Sequence, residues 1–213
     1  MSRALVSFGV GPHEELLEIA LPGFERYADR HGYELVVADP LACDRPPSWW
    51  KVPILQELLE EHDDVLWLDS DVVIVDDQDD VAPPAWAWQG VVEHHTGCGH
   101  VPNLGVWYVR QPLKPVLERL WARDEYVDHG WWEQAAMLDE LGYTFEPLPS
   151  VLRRPTSLFT RTAFLETGWN VHPEDVRKST RPRFMHATMY ADRAGVMREW
   201  ADEGAAVAIG GLR

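Results

Sequence analysis

The sequence predicts an α/β fold in which a mostly parallel central sheet is flanked by helices within one domain. Three observations predict it. Short apolar runs alternate with amphipathic stretches of helical spacing, in the order βαβαβ, from Ala4 to Val75. A length of 213 residues suits one domain with a sizeable core. An apolar content of 46% with 11% aromatics excludes a disordered or fibrous chain.

Each element has a local cause. Ala4–Phe8 is an apolar run ending in Gly9 and Gly11, a buried strand feeding a turn. His13–His31 carries apolar residues at helical spacing, with Pro22 a kink or break and Gly32 placed to end the helix. Glu34–Ala38 is the second strand. A proline-rich stretch then leads to Trp49, Trp50 and Lys51, and Val52–His62 is again helical. Val65–Leu68 is a third apolar strand that ends in Asp69-Ser70-Asp71, followed by a short strand at Val72–Val75. Further on, Val106–Arg110 reads as a strand, and Lys114–Arg123 and Glu133–Leu141 as helices. Between Ser150 and Arg183 periodicity fades.

Composition narrows the function. With 19 Lys+Arg against 35 Asp+Glu the formal charge is −16, which repels nucleic acid. Through Val106 there are 5 basic and 20 acidic residues; from Trp107 onward there are 14 and 15. An acidic first half suits a cation, and the balanced second half can supply arginines to an anionic substrate. No apolar run approaches the roughly 20 residues that cross a bilayer. The apolar start reads as a strand rather than a leader, and two cysteines, Cys43 and Cys98, make no disulfide framework; a cytoplasmic location is the expectation.

The acidic strand end is the strongest chemical signal. Side chains two apart on an extended chain point the same way, about 6.5 Å apart at Cα. Asp69 and Asp71 therefore converge on one ligand, and an adjacent pair of buried carboxylates is costly without a cation. Oxygen ligands suit Mg²⁺ or Mn²⁺, and such ions also bind phosphates. The alternative is that the aspartates merely start a turn. His186, joining them, would tilt the preference towards Mn²⁺. Arg177, Lys178, Arg181 and Arg183 form a basic segment, either a flap closing over a diphosphate or a solvated loop. Glu93-His94-His95-x-x-Cys98-x-His100 has zinc-ligand residue types at a spacing that matches no common zinc pattern, and reads better as a loop lining an acceptor cleft. Gly105 lets backbone approach a ligand, and Asn103 can bond sugar hydroxyls. Among eleven tryptophans, Trp49, Trp50, Trp131, Trp132 and Trp169 are the candidates for exposure and carbohydrate stacking.

In order, these pieces resemble the galactosyl/mannosyltransferase family, which has the GT-A (Rossmann-like) fold. The resemblance rests on Trp50-Lys51, a helix, and Leu66-Trp67-Leu68-Asp69-Ser70-Asp71-Val72-Val73-Ile74. It continues with Asn103-Leu104-Gly105 and the strand to Arg110, with Trp132-Glu133-Gln134, and with His186. It implies a metal-dependent enzyme moving a hexosyl group from a nucleotide-diphosphate sugar, UDP-sugar favoured, to a saccharide or small-molecule acceptor, with retention. Asp71 and His186 would bind Mn²⁺ (or Mg²⁺), with Asp69 on metal or ribose. Phe8, Lys51, Asn103 and Gly105 would contact the donor. Gln134 would lie near the anomeric carbon, with Glu133 in reserve as nucleophile or base. The usual late glycine is missing after His186, so Arg183 or Arg193 would complete the diphosphate clamp. Residues 1–106 would form the nucleotide- and metal-binding half, and 107–213 the acceptor half with a flexible basic segment at 177–183. The missing membrane anchor sets the chain apart from Golgi relatives and points to a bacterial enzyme. Rival readings are an aspartate-nucleophile phosphatase, with Asp69 attacking phosphorus, and a non-catalytic sugar-nucleotide binder. A dinucleotide-binding dehydrogenase is weaker, because Glu14 stands where the third glycine is required.

Overall fold

The computed structural model describes residues 2–175 and 181–203. Strand β1 (Arg3–Ser7) is followed by helix α1 (Pro12–His31) and strand β2 (Glu34–Val37). A 3₁₀ turn at Pro47–Trp50 runs into α2 (Lys51–Glu61), then β3 (Asp64–Leu68) and β4 (Val72–Ile74). A long hairpin, β5 (Gln89–Thr96) and β6 (Gly99–Arg110), precedes α3 (Lys114–Trp121) and α4 (Trp132–Leu141). A small ladder, β7 (Tyr143–Thr144) with β8 (Val151–Leu152), leads to β9 (Thr162–Leu165), β10 (Phe184–His186) and α5 (Arg193–Glu203).

Six strands form one sheet in the order β2-β1-β3-β6-β5-β9. Every neighbouring pair is parallel except those involving β6, which runs antiparallel to both β3 and β5. The expected mostly parallel sheet is therefore present, with β6 as its one reversed strand. The division at 106/107 falls inside β6, so the two sequence halves share a strand instead of meeting at a boundary.

Alternation along the strands explains why the sheet is covered twice. Val65 and Trp67 of β3 join a core with Ala4, Val6, Trp107, Val109 and residues of α2, α3 and α4. Leu66 and Leu68 join the opposite core with Leu5, Val106, Tyr108 and residues of α1, β4, β10 and α5. A strand buried on both faces reads as a continuous apolar run, as β3 does.

Two sequence expectations are corrected. Pro22 does not break α1, which runs unbroken from Pro12 to His31. A proline inside a helix costs about 3 kcal/mol, and the buried face of Leu16, Leu17, Ala20, Phe24, Tyr27 and Ala28 outweighs it. The helix ends as expected at Gly32, whose left-handed φ of 71° lets Tyr33 N–H reach the Ala28 carbonyl at 3.0 Å. The Glu93–His100 segment is not a loop but the distal part of the β5–β6 hairpin, with His95 facing His100 across the ladder.

Leu68 is fully buried next to the acidic strand end. Leu68→Ala is expected to destabilise the fold by about 2–5 kcal/mol, read as a lower urea midpoint with an unchanged denaturant slope.

Candidate active site

A cleft of about 680 Å³ opens beyond the carboxyl ends of β1 and β3. Its walls include Phe8, Lys51, Asp69, Asp71, Asn103, Gly105, Glu133, Gln134, His186 and Arg193. The chain thus brings ten of the eleven sequence-predicted site residues to one place, where open α/β sheets gather ligands.

Local pairing explains how. Asp69 N–H donates to the Gly105 carbonyl at 2.8 Å, extending the β3–β6 ladder by one bond. The chain then turns, with Val72 N–H on the Asp69 carbonyl at 3.0 Å, into β4. Strand β10 pairs antiparallel with β4, setting His186 opposite Val72, and Ala187 N–H bonds the Asp71 carbonyl at 2.8 Å. Asp71 and His186 are brought together by backbone register before any side chain is considered.

A chain of amides fixes the His186 ring. Asn103 Oδ1 accepts from Gly105 N–H and from Asn170 Nδ2, both at 2.8 Å. Asn170 is thereby oriented with Oδ1 towards His186 Nδ1 at 3.0 Å, so that nitrogen carries the proton and donates. The other ring nitrogen, Nε2, stands 3.0 Å from Asp71 Oδ1. A proton on Nε2 closes that contact as an ion pair, and a metal ion can take the proton's place. Gly105 makes the arrangement sterically possible: a Cβ there would lie 2.3 Å from His186 Cε1. The expected closeness of backbone to ligand at Gly105 is thus closeness to the imidazole.

Charge is balanced around both acids. Asp71 is buried, which would raise its pKa, but His186, Arg193 and His13 hold it well below the usual carboxylate range. Arg193 approaches Asp71 Oδ2 at 3.2 Å from the start of α5. Lys51, also buried, donates to Asp69 Oδ1 at 3.0 Å and pairs with Glu133 Oε1 at 3.0 Å. Burial would lower its pKa; the two carboxylates outweigh that and keep it charged. Trp67 Nε1 also donates to Asp69 Oδ1, at 2.6 Å. Glu133 has its pKa raised by burial, with Lys51 opposing, and its Oε2 is buried without a hydrogen-bond partner. Gln134 Oε1 accepts from Asn103 Nδ2 at 3.0 Å and from Leu104 N–H at 3.4 Å, leaving N–H donors as what this side chain offers a ligand.

Other expectations land differently. Arg183 is not on the cleft wall; it pairs with Asp79 and Glu166 and stacks over Trp169 at 4.5 Å. Arg181 likewise binds Asp76 and Asp79, while Arg177 and Lys178 lie outside the described residues. Trp49, Trp50 and Trp169 are buried, whereas Trp132 is exposed on the cleft and Trp131 lines it. Trp86, which the sequence did not single out, is also exposed. Trp132 and Met189, both on the cleft wall, are the two described non-glycine residues with positive φ, 45° and 71°.

Sequence reasoning missed Asn170, His172, Asp175 and His13. Asn170, His172 and Asp175 come from a stretch with no periodic signal, and His13 opens a helix whose apolar spacing says nothing of its polar end. Only the folded chain brings Asn170 and His172 to His186, His13 to Ser70 and Asp175 to His94. His94 and His172 stack at 3.6 Å, 14° from parallel, with Asp175 on His94 Nδ1. Burial holds both imidazoles below their ordinary value, His172 furthest, with Asp175 opposing at His94.

The residues at Asp71 fit a divalent cation. One oxygen or nitrogen atom from each of Asp69, Asp71 and His186 lies within 4.8 Å of the others. An imidazole nitrogen and a carboxylate oxygen already face one another there, and two oxygens with one imidazole suit Mn²⁺ or Mg²⁺.

Fold and site together define the class: this is a GT-A glycosyltransferase fold. A glycosyltransferase involved in the glycosylation of the major capsid of PBCV-1 is similar over 93% of this chain and 100% of its own, with TM-score 0.70 and 16% identity. The galactosyltransferase LgtC, in complex with donor and acceptor sugar analogs, is similar over 94% of this chain and 96% of its own, with TM-score 0.58 and 13% identity. The apo-form glycosyltransferase GlyE of Streptococcus pneumoniae TIGR4 is similar over 99% of this chain and 63% of its own, with TM-score 0.64 and 13% identity. Within that fold, residues 11–83 match the galactosyl transferase GMA12/MNN10 family, a stretch that holds Lys51, Asp69 and Asp71. No curated protein matches the chain. Among the described residues no helix is long and apolar enough to cross a membrane.

Two outcomes follow from this geometry. Gly105→Ala and Asn170→Ala each disturb the His186 ring, by crowding it or by freeing its tautomer, and are expected to weaken Mn²⁺ binding about tenfold or more by calorimetry. Because the folded chain keeps His172 neutral while the unfolded chain protonates it near the ordinary imidazole value of about 6.5, stability is full above that pH and falls as pH drops. The slope is at most about 1.4 kcal/mol per pH unit for this group. Urea midpoints between pH 7.5 and 5 should show the loss, and His172→Phe should flatten it.

Proposed function

We propose that this chain is a metal-dependent hexosyltransferase using a nucleotide-diphosphate sugar, UDP-sugar favoured, and a saccharide or small-molecule acceptor, with retention of configuration. The observation that carries the reading is the Asp71–His186 pair, 3.0 Å apart, set in a cleft at the sheet's carboxyl edge. Asp69, Asp71 and His186 hold the cation, which when bound offsets charge gathering on the departing diphosphate.

The other residues act by position and charge. Phe8, stacked on Trp50 at 5.6 Å, gives the nucleotide base an apolar wall. Arg193 carries the second positive charge at the cleft and takes the diphosphate-binding role that Arg183, turned to Asp79 and Glu166, does not. Lys51 stays beneath Asp69 as its counter-ion. Gln134 offers amide N–H groups to the transferring sugar, and exposed Trp132 a flat face to the acceptor. Retention is favoured because Asp69, Asp71 and Glu133 are each committed to a cationic partner, Lys51 or Arg193, which leaves an oxygen of the departing diphosphate to receive the acceptor's proton. An aspartate-nucleophile phosphatase fits less well: Asp69 Oδ1 is held by both Lys51 and Trp67, on the third strand of the chain.

Asp71→Asn is expected to lower Mn²⁺-dependent donor affinity by about tenfold or more while the far-UV circular dichroism spectrum stays native. Unchanged donor affinity in calorimetry would overturn the metal assignment. Mn²⁺-dependent hydrolysis of a UDP-sugar without acceptor separates an enzyme from a binding protein, and phosphate release from a phosphomonoester would favour the phosphatase.

A further inference from the structure

Behind the cleft wall, on the opposite face of the β5–β6 hairpin, lies a second group of ligating side chains. Strand alternation sends His94 and Thr96 to the cleft, and Glu93 and His95 the other way. His100 is the ladder partner of His95, and their rings are 4.1 Å apart. His95 Nε2 and His100 Nδ1 meet the same carboxylate oxygen, Glu93 Oε2, at 3.0 and 3.4 Å.

We propose that Glu93, His95 and His100 form a site for a borderline divalent ion of the zinc class, separate from the ion at Asp71. In a tetrahedral site with bonds of about 2.0–2.1 Å, ligand atoms stand about 3.3 Å apart, close to the two distances present here. The carboxylate is already aimed, because its other oxygen, Oε1, accepts a hydrogen bond from Tyr143. The histidine side chains are 61% and 51% exposed, so an ion reaches them without opening the fold, and water completes the shell. Cys98, grouped with these residues by sequence, lines the cleft instead. The buried His94–His172–Asp175 group is a poorer site, since near-parallel stacked rings aim their in-plane lone pairs past any common ion.

An ion here ties β5 to β6 behind Thr96, Cys98 and Val101, three residues of the cleft wall. The test titrates ZnCl₂ into the full chain carrying Asp71→Asn, so that the first site is weakened, and compares it with the same chain also carrying His100→Ala or His95→Ala. We expect zinc binding, with a rise in Tm, that falls about tenfold or more in affinity and loses the Tm rise in either double variant. Identical isotherms and Tm shifts in all three chains, or no zinc binding to the Asp71→Asn chain, would overturn the proposal. Neither result bears on donor binding by the wild-type cleft, because His95 and His100 stand on the other face of the hairpin; the two readings fail separately.

Discussion

A ring nitrogen and a carboxylate oxygen, contributed by residues 115 positions apart, are held 3.0 Å from one another at the end of a buried strand. Everything else around the cleft is arranged so that this contact is possible. The β4–β10 pairing supplies the approach, Gly105 removes the obstacle, and the Asn103–Asn170 amides decide which ring nitrogen faces the acid. None of these three groups needs to touch a substrate to determine what the site can hold.

The second constraint is electrostatic. Asp71 and Glu133 are buried and Asp69 is half-buried beside Glu133, sharing Lys51 with it, and like charges so placed resist joint ionisation. Lys51 meets the problem from below by bridging Asp69 and Glu133. Asp71 receives its compensation from the imidazole and from Arg193. A buried ion pair is weak support for stability, since desolvation consumes most of its attraction. Here its value lies in keeping acidic groups charged where the cleft needs them.

Strands β1, β2 and β3 and the end of β6 were legible because their signals are local, whereas β5 and β9 carried none that was read. Strand β3 is apolar on both faces, its helices carry an apolar stripe, and Asp69-Ser70-Asp71 follows without a break. His186 was legible only by its place in a family pattern. Asn170 carried no signal, since a single amide in an aperiodic stretch gains meaning from partners at 103 and 186. Tryptophan exposure was misjudged at three of five positions, because residue type alone does not fix packing: Trp49, Trp50 and Trp169 are buried in the two cores. Arg183 was misassigned for a related reason, as its nearest anions are Asp79 and Glu166 of this chain. The His94-His95 pair shows the limit most simply, because one step along a strand separates a cleft residue from one on the reverse side.

The left-handed backbone at Trp132 and Met189 carries a cost of its own. Bulky side chains in that conformation cost about 1–3 kcal/mol each, and glycine would relieve it. The chain instead keeps an indole and a thioether at the rim, which under the proposed function widen the contact offered to an acceptor. Thermostability and recognition therefore pull these two positions in opposite directions, and a hardier version of this protein obtained there would be a blunter one.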